Sequence, residues 1–144
     1  MAEVVFFTGV VDLLDFTGRL LRKKQREGAR VAVYGPVPLL QRLDQSLWVA
    51  DPQDFTPHVL LRSGGALPPP HLRQRTLLWL LAEPQPALGC DTAINLGRDD
   101  LDLAGAHQRV AEVVSTDPVG MAEGRARWKR YEAAGHRLQH HPQR

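Results

Sequence analysis

The side chains with the most evident chemistry lie near the end of the chain, in residues 125–135, RARWKRYEAAG. Four basic residues flank a tryptophan and a tyrosine there, on a segment that we predict to be helical. Guanidinium groups bind carboxylates and phosphates, and aromatic rings pack against apolar groups or stack on bases. The helix therefore has three possible targets: the core of its own domain, a nucleic-acid backbone or an acidic peptide.

The positive charge of the chain is concentrated in the same segment. Residues 121–144 hold six basic and two acidic residues, whereas residues 1–120 hold 12 basic and 14 acidic residues. A protein that binds nucleic acid over a wide surface would spread its positive charge more evenly. The charge pattern thus favours a local anionic ligand.

A helical projection separates a buried side of this last helix from its rim. One stripe is formed mainly by small residues and is predicted to face the sheet, with the tyrosine pointing inward. Its members are Gly120, Gly124, Arg127, Tyr131, Ala134 and Gly135. Trp128 and Met121 lie at the edge of the stripe, and Arg125 lies one step further toward solvent. An apolar rim beside a guanidinium suits a ligand with an apolar end and a negative charge.

Two alternatives for this helix stay open from the pattern alone. Trp128 can be an ordinary core residue beside a solvated row of arginines. Single-stranded nucleic acid is the other target, because aromatic rings stack on bases and arginines bind phosphates. Only one helix offers this chemistry, which argues against a nucleic-acid surface.

A second pair of aromatic residues lies in residues 42–58, RLDQSLWVADPQDFTPH. Trp48 is predicted to end a helix, and Phe55 lies in a loop rich in Pro and Asp. Large aromatic side chains at such a place either complete the core of the domain or anchor a partner protein. The sequence leaves both interpretations open.

Motifs for catalysis or cofactor binding do not stand out. The first strand–helix turn, FFTGVVD, has one glycine and neither of the glycine-rich phosphate-binding patterns. The serines lie in no nucleophile-elbow pattern, and a single cysteine, Cys90, excludes an internal disulfide. His136, His140 and His141 are predicted to be exposed rather than to hold a metal. We therefore expect a binding module without a cofactor or metal and not an enzyme.

Alternation of strands and helices predicts one α/β domain with a mostly parallel sheet and helices on both faces. It resembles nucleotide-binding folds but lacks a phosphate loop. The domain is expected to span residues 1–138, followed by a flexible tail at 139–144. No apolar run is long enough to cross a membrane, and the N-terminus lacks the features of a signal peptide, so we expect a cytoplasmic protein. Strands are predicted at 4–8, 30–34, 58–61, 76–81, 92–96 and 109–115, and helices at 10–26, 39–48 and from 117 onward.

Three segments in this order resemble the chi subunit of bacterial DNA polymerase III. They are RLDQSLW at 42–48, DFTPH at 54–58 and RARWKRYEAAGHRL at 125–138. The resemblance covers essentially the whole chain. It implies a non-catalytic accessory subunit of a DNA-directed DNA polymerase, a nucleotidyltransferase complex. Such a subunit joins the clamp loader through the psi subunit and binds the acidic C-terminal tail of single-stranded-DNA-binding protein. It contacts DNA mostly indirectly.

The resemblance also implies roles for particular residues. Arg125 and Trp128 match the arginine and the aromatic residue that bind the acidic tail, and Met121 and Gly135 fall in the same region. Met121 stands where the family can have a lysine, and Trp128 where it can have a tyrosine. Trp48 and Phe55 match aromatic residues of the psi-binding surface. The alternative function is direct binding of single-stranded nucleic acid.

Overall fold

A computed structural model describes residues 2–49 and 57–143. The strands are β1 (Glu3–Val10), β2 (Val31–Tyr34), β3 (His58–Leu61), β4 (Leu78–Leu81), β5 (Thr92–Asn95), β6 (Arg109–Ser115) and β7 (Arg137–Pro142). The helices are α1 (Leu13–Arg26), α2 (Val37–Val49), α3 (Pro70–Arg75), α4 (Leu103–Ala106) and α5 (Pro118–Ala133), and a 3-10 turn spans Pro86–Leu88.

The seven described strands form one sheet in the order β3-β4-β2-β5-β6-β1-β7. Every pair of neighbours is parallel. Parallel strands are covered on both faces by their crossover helices, which explains the continuous apolar runs in the sequence. The predicted α/β fold, with a parallel sheet between helices, is confirmed.

Alternate residues of each strand divide between two hydrophobic clusters, one on each face. Val31 and Val33 of β2 belong to the cluster under α1 and α2, whereas Ala32 and Tyr34 belong to the cluster under α5. The side chains of a strand alternate between the two faces with a period of two residues, so each central strand supplies both cores. The sheet thus separates the surface formed by α1 and α2 from the surface formed by α5.

Aspartate caps begin two of the helices that flank the sheet; the cap at Asp117 was predicted, whereas the first helix was predicted to start at Val10 and begins after Asp12. The Asp12 side chain accepts a hydrogen bond from the Asp15 amide at the start of α1, and Asp117 accepts one from Gly120 at the start of α5. Pro118 occupies the first turn of α5, where the missing amide hydrogen has no cost. These caps place the start of α5 directly beyond the end of β6.

The chain contains a seventh strand that the sequence analysis missed. Residues 137–142 form β7, which pairs in parallel with β1 at the edge of the sheet. The predicted limits of the domain (1–138) and tail (139–144) cut through this strand, and β6 is not the last strand. The pattern RLQHHP has almost no apolar residues because most side chains of this edge strand are exposed. Helices α3 and α4 were also not predicted, and Val10 belongs to β1 rather than to the first helix.

Candidate functional site

A groove of about 540 Å³ opens between α5 and the carboxyl ends of three neighbouring strands. Residues from β1, β6, β7 and α5 line it, and most of their contact surface is apolar. The lining residues are Phe6, Thr8, Gly9, Val114, Thr116, Met121, Gly124, Arg125, Trp128, Lys129 and His140. Ligands of open α/β sheets commonly bind at the carboxyl ends of strands, so the groove lies where this architecture favours binding.

Trp128 forms one wall of the groove and also contacts the core. Its ring meets the Phe6 ring edge to face, with centroids 5.1 Å apart, and its side chain is half-buried. Phe6 itself is buried in β1. The tryptophan is therefore held by an aromatic contact on its inner side while its outer side remains available to a ligand.

The exposed residues of the groove include Arg125, which was predicted as a site residue from the sequence, and Lys129, which was not. Arg125 and Lys129 lie one turn apart on α5 and both line the groove. Met121 lies one turn before Arg125 and is 39% exposed. Among the described residues, no aspartate or glutamate lines the groove. An apolar trough with guanidinium and ammonium groups along one side can accept a ligand that combines an apolar group with a carboxylate.

Arg127 occupies a different environment from Arg125, although both belong to the same basic segment. Its side chain is buried, and its Nε donates a hydrogen bond to Oε1 of Glu112 at 2.7 Å. A second nitrogen donates to Asp99 at 2.9 Å. The prediction that Arg127 lies on the buried side of α5 is confirmed. Its charge is paired inside the protein, and Arg127 does not line the groove.

Glu112 accepts hydrogen bonds from three side chains on two elements, α5 and β5. Besides Arg127, the Tyr131 hydroxyl donates to Oε2 at 2.7 Å, and Nδ2 of Asn95 lies 3.0–3.1 Å from both carboxylate oxygens. Glu112 and Asn95 are both at most 1% exposed. A charged residue within the apolar strand RVAEVVS was the only sequence signal for this cluster. Its partners could not be identified from spacing alone.

Burial and pairing act in opposite directions on this cluster. Burial raises the pKa of the Glu112 carboxyl group, whereas the guanidinium of Arg127 and the donors from Asn95 and Tyr131 lower it, and the net shift is upward. Burial lowers the pKa of Arg127, but Glu112 and Asp99 outweigh it and the net shift is upward. The raised pKa of Glu112 favours a neutral carboxyl group, whereas the raised pKa of Arg127 favours a charged guanidinium. The geometry favours an ion pair, because the three side chains all donate to carboxylate oxygens.

A glycine allows α5 to lie close to β6 beneath the groove. A Cβ atom added at Gly124 would stand 2.9 Å from Cγ2 and 3.1 Å from Cγ1 of Val114. The predicted close approach of small residues on this helix is thus confirmed at Gly124. The stripe is narrower than predicted, since Ala134 and Gly135 are exposed.

Gly135 does not line the groove. It follows the last residues of α5 with φ of +82°, a conformation that glycine adopts without strain, and the chain then turns into β7. Gly135 therefore ends the helix and has no contact with the groove.

Trp48 lies near the β3 edge of the sheet, whereas the groove lies near the β7 edge. It belongs to α2, on the opposite face, and its ring lies 4.9 Å from the ring of His58, the first residue of the edge strand β3. Trp48 is 52% exposed, so it is not a fully buried core residue. Phe55 lies outside the described residues.

The profile of a protein family described as DNA polymerase III chi subunit, HolC, matches residues 1–139. The chain belongs to the DNA polymerase III chi-subunit family. As a chi-family chain, it is a subunit of the DNA polymerase III replication machinery. A comparison with curated proteins found no significant match. Within residues 2–49 and 57–143, no helix is both long and apolar enough to span a bilayer.

The groove on α5 and the exposed Trp48 on α2 thus both lie in the part of the chain that matches the chi-subunit family. Three of the four residues predicted for tail binding, Arg125, Trp128 and Met121, come together in one groove. Sequence reasoning did not identify Phe6, Thr8 and His140 as groove residues. They lie on β1 and β7, and only the pairing of these strands brings them to α5.

Proposed function

We propose that this chain is a non-catalytic replication adaptor. It links the DNA polymerase III clamp loader, through the psi subunit, to the acidic C-terminal tail of single-stranded-DNA-binding protein. The supporting observation is the groove that joins Arg125 and Lys129 to the apolar wall of Trp128. The terminal aromatic ring of the tail packs against Trp128, and its carboxylate pairs with Arg125. This role belongs to the bacterial cytoplasm.

Two separate surfaces support an adaptor. The groove lies beneath α5 at the carboxyl ends of β1, β6 and β7, whereas Trp48 lies on α2 beside the opposite edge strand, β3. Because the sheet lies between them, a partner at one surface does not obstruct the other. Trp48, and by resemblance Phe55, are assigned to the psi subunit.

The turn after β1 supports a binding role rather than a nucleotide-dependent one. The carboxylate of Asp12 caps the first helix there, accepting a hydrogen bond from the Asp15 amide at 3.1 Å. This carboxylate occupies one of the helix amides and repels phosphate at the place where related folds bind nucleotides.

A titration with an acetylated acidic peptide that ends in Phe with a free carboxylate tests the proposal. Arg125→Ala is expected to weaken binding about 10- to 150-fold, since a hydrogen bond to a charged group contributes roughly 1.5–3 kcal/mol. Arg125→Lys is expected to restore only part of the affinity, because lysine lacks the planar two-pronged donor. Amidation of the peptide should weaken binding to the wild type and have little further effect on Arg125→Ala.

Arg130→Ala is the matched control, because Arg130 is an exposed arginine of the same helix that contacts Asp99 rather than the groove. Its effect should be small and should fade with salt. Equal affinities of the wild type and Arg125→Ala would remove Arg125 from the site. Tighter binding to single-stranded DNA than to the peptide would favour the alternative function, direct binding of nucleic acid.

A further inference from the structure

The side wall of the groove opposite α5 carries a histidine. His140 of β7 pairs in register with Phe6 of β1, and its ring meets the Trp128 ring edge to face with centroids 6.3 Å apart. The next residue, His141, points to the other face of the sheet and stacks on Phe7 at 5.8 Å. Two adjacent histidines thus lie on opposite faces, and one of them lines the groove.

The hydrogen bonding of His140 leaves one ring nitrogen for a ligand. Nε2 lies 2.6 Å from Oγ1 of Thr8, which also lines the groove. A hydroxyl group can donate to or accept from a ring nitrogen, so this contact is compatible with neutral and protonated histidine. Among the described residues, Nδ1 of His140 has no hydrogen-bond partner. In the protonated ring, Nδ1 becomes a charged donor.

His140 shares the groove with two cations and an uncharged hydroxyl group. Arg125 and Lys129 line the same groove from α5, and Thr8 lines it from β1 without a charge. A carboxylate in the groove attracts a protonated ring more strongly than a neutral one. Binding of an anion and uptake of a proton are then linked, so each strengthens the other.

We propose that His140 is an anion-binding residue of this groove and that its protonation strengthens the binding of an acidic peptide as the pH falls. This inference rests on the proposed function and adds a pH-sensitive contact to the same site. Histidine changes charge between about pH 5 and pH 8, whereas arginine, lysine and the carboxylates of a peptide do not. Proton uptake on binding in that range therefore reports on a histidine.

The experiment is a titration of the acetylated acidic peptide at about pH 6, 7 and 8 and constant ionic strength, with the wild type, His140→Gln and His141→Gln. Acetylation removes the peptide amine, which would otherwise titrate in the same range. Glutamine keeps a neutral group that can bond to Thr8. His141→Gln is the matched control, because it removes the neighbouring histidine on the other face. Circular dichroism at each pH verifies that the variants are folded.

The dissociation constant of the wild type should fall about three- to tenfold from pH 8 to pH 6, the range expected when up to one proton is taken up. His140→Gln should lose most of that dependence and match the wild type most closely at pH 8, and His141→Gln should retain it. Peptide binding with the same pH dependence in the wild type and His140→Gln would overturn the inference but leave the proposed function intact. No peptide binding at any pH would reject both.

Discussion

Arg127 on α5 donates a hydrogen bond of 2.7 Å to Glu112 on β6, and both side chains are buried. This ion pair joins the helix that carries Arg125 and Trp128 to the strand beneath it. Tyr131 donates to the same carboxylate one turn later along the helix. Two contacts from one face of α5 restrict rotation of the helix about its axis. The cluster therefore determines which residues of the basic segment face the groove.

Removal of Arg127 is expected to destabilise the protein strongly. Arg127→Met leaves the Glu112 carboxylate buried without its cation, which typically costs about 3–5 kcal/mol. The double variant Glu112→Leu with Arg127→Met should recover much of that loss, because it removes both buried charges. Urea unfolding at neutral pH measures these differences. Arg130→Met is the control and should change the free energy of unfolding by less than about 1 kcal/mol, since its ion pair is exposed. A similarly small effect of Arg127→Met would contradict this account.

A methyl group at Gly124 is expected to disturb both stability and the groove. The new Cβ atom would meet Val114 at 2.9 Å, so α5 or β6 must shift, and overpacking of this kind typically costs about 1–3 kcal/mol. Gly18→Ala in α1 is the matched control: the nearest atom to its Cβ is 3.9 Å away, and alanine should stabilise that helix by up to about 1 kcal/mol. Thermal unfolding and the peptide titration measure the two effects. If both variants are stabilised equally, the close approach is not a constraint.

The stability of the domain is expected to fall at acidic pH because of His107. Its Nδ1 donates to the Cys90 carbonyl at 2.8 Å, so Nε2 accepts from the buried Tyr34 hydroxyl at 2.7 Å in the neutral ring. Burial lowers the pKa of His107 below its ordinary value. The unfolded chain therefore binds a proton at a higher pH than the folded protein does. The contribution of His107 is complete above about pH 6.5 and is lost as the pH falls toward its lowered pKa.

Urea unfolding at several pH values between about 8 and 5 tests this linkage, and the free energy of unfolding should fall over that range. His107→Gln should be less stable than the wild type at pH 8 but should show a flatter pH dependence. His71→Gln, at an exposed position of α3, should keep the dependence of the wild type. An unchanged slope in His107→Gln would show that other groups cause the loss.

Trp48→Ala is expected to weaken binding of the psi subunit with little effect on stability. Trp48 is 52% exposed, and a large aromatic anchor typically contributes about 2 kcal/mol or more to an interface. Val37→Ala is the matched control, because Val37 lies on the same helix and is 49% exposed. Calorimetric titration with psi measures the affinities, and thermal unfolding measures stability. Equal affinities of the two variants would remove Trp48 from the interface.

Local patterns in the sequence determined most of the fold. The alternation of apolar strands with amphipathic helices predicted β1 to β6, α1, α2 and α5 close to their observed limits, because burial imposes these periods on any segment that packs against a core. Asp117 indicated a helix start for the same reason: a cap depends on residues two or three positions away. Arg125, Trp128 and Met121 could be grouped because they lie on one helix.

The features that depend on contacts between distant parts of the chain could not be predicted from local patterns, and the tertiary structure decided them. Strand β7 was missed because RLQHHP lacks an apolar run and becomes a strand only by pairing with β1, more than 130 residues away in the chain. The same pairing brings His140 and Thr8 to the groove. The helical projection placed Arg127 on the buried side and Arg125 toward solvent, but it could not identify the partner of Arg127. Their environments differ because the long-range contact with Glu112 buries one guanidinium and leaves the other at the surface.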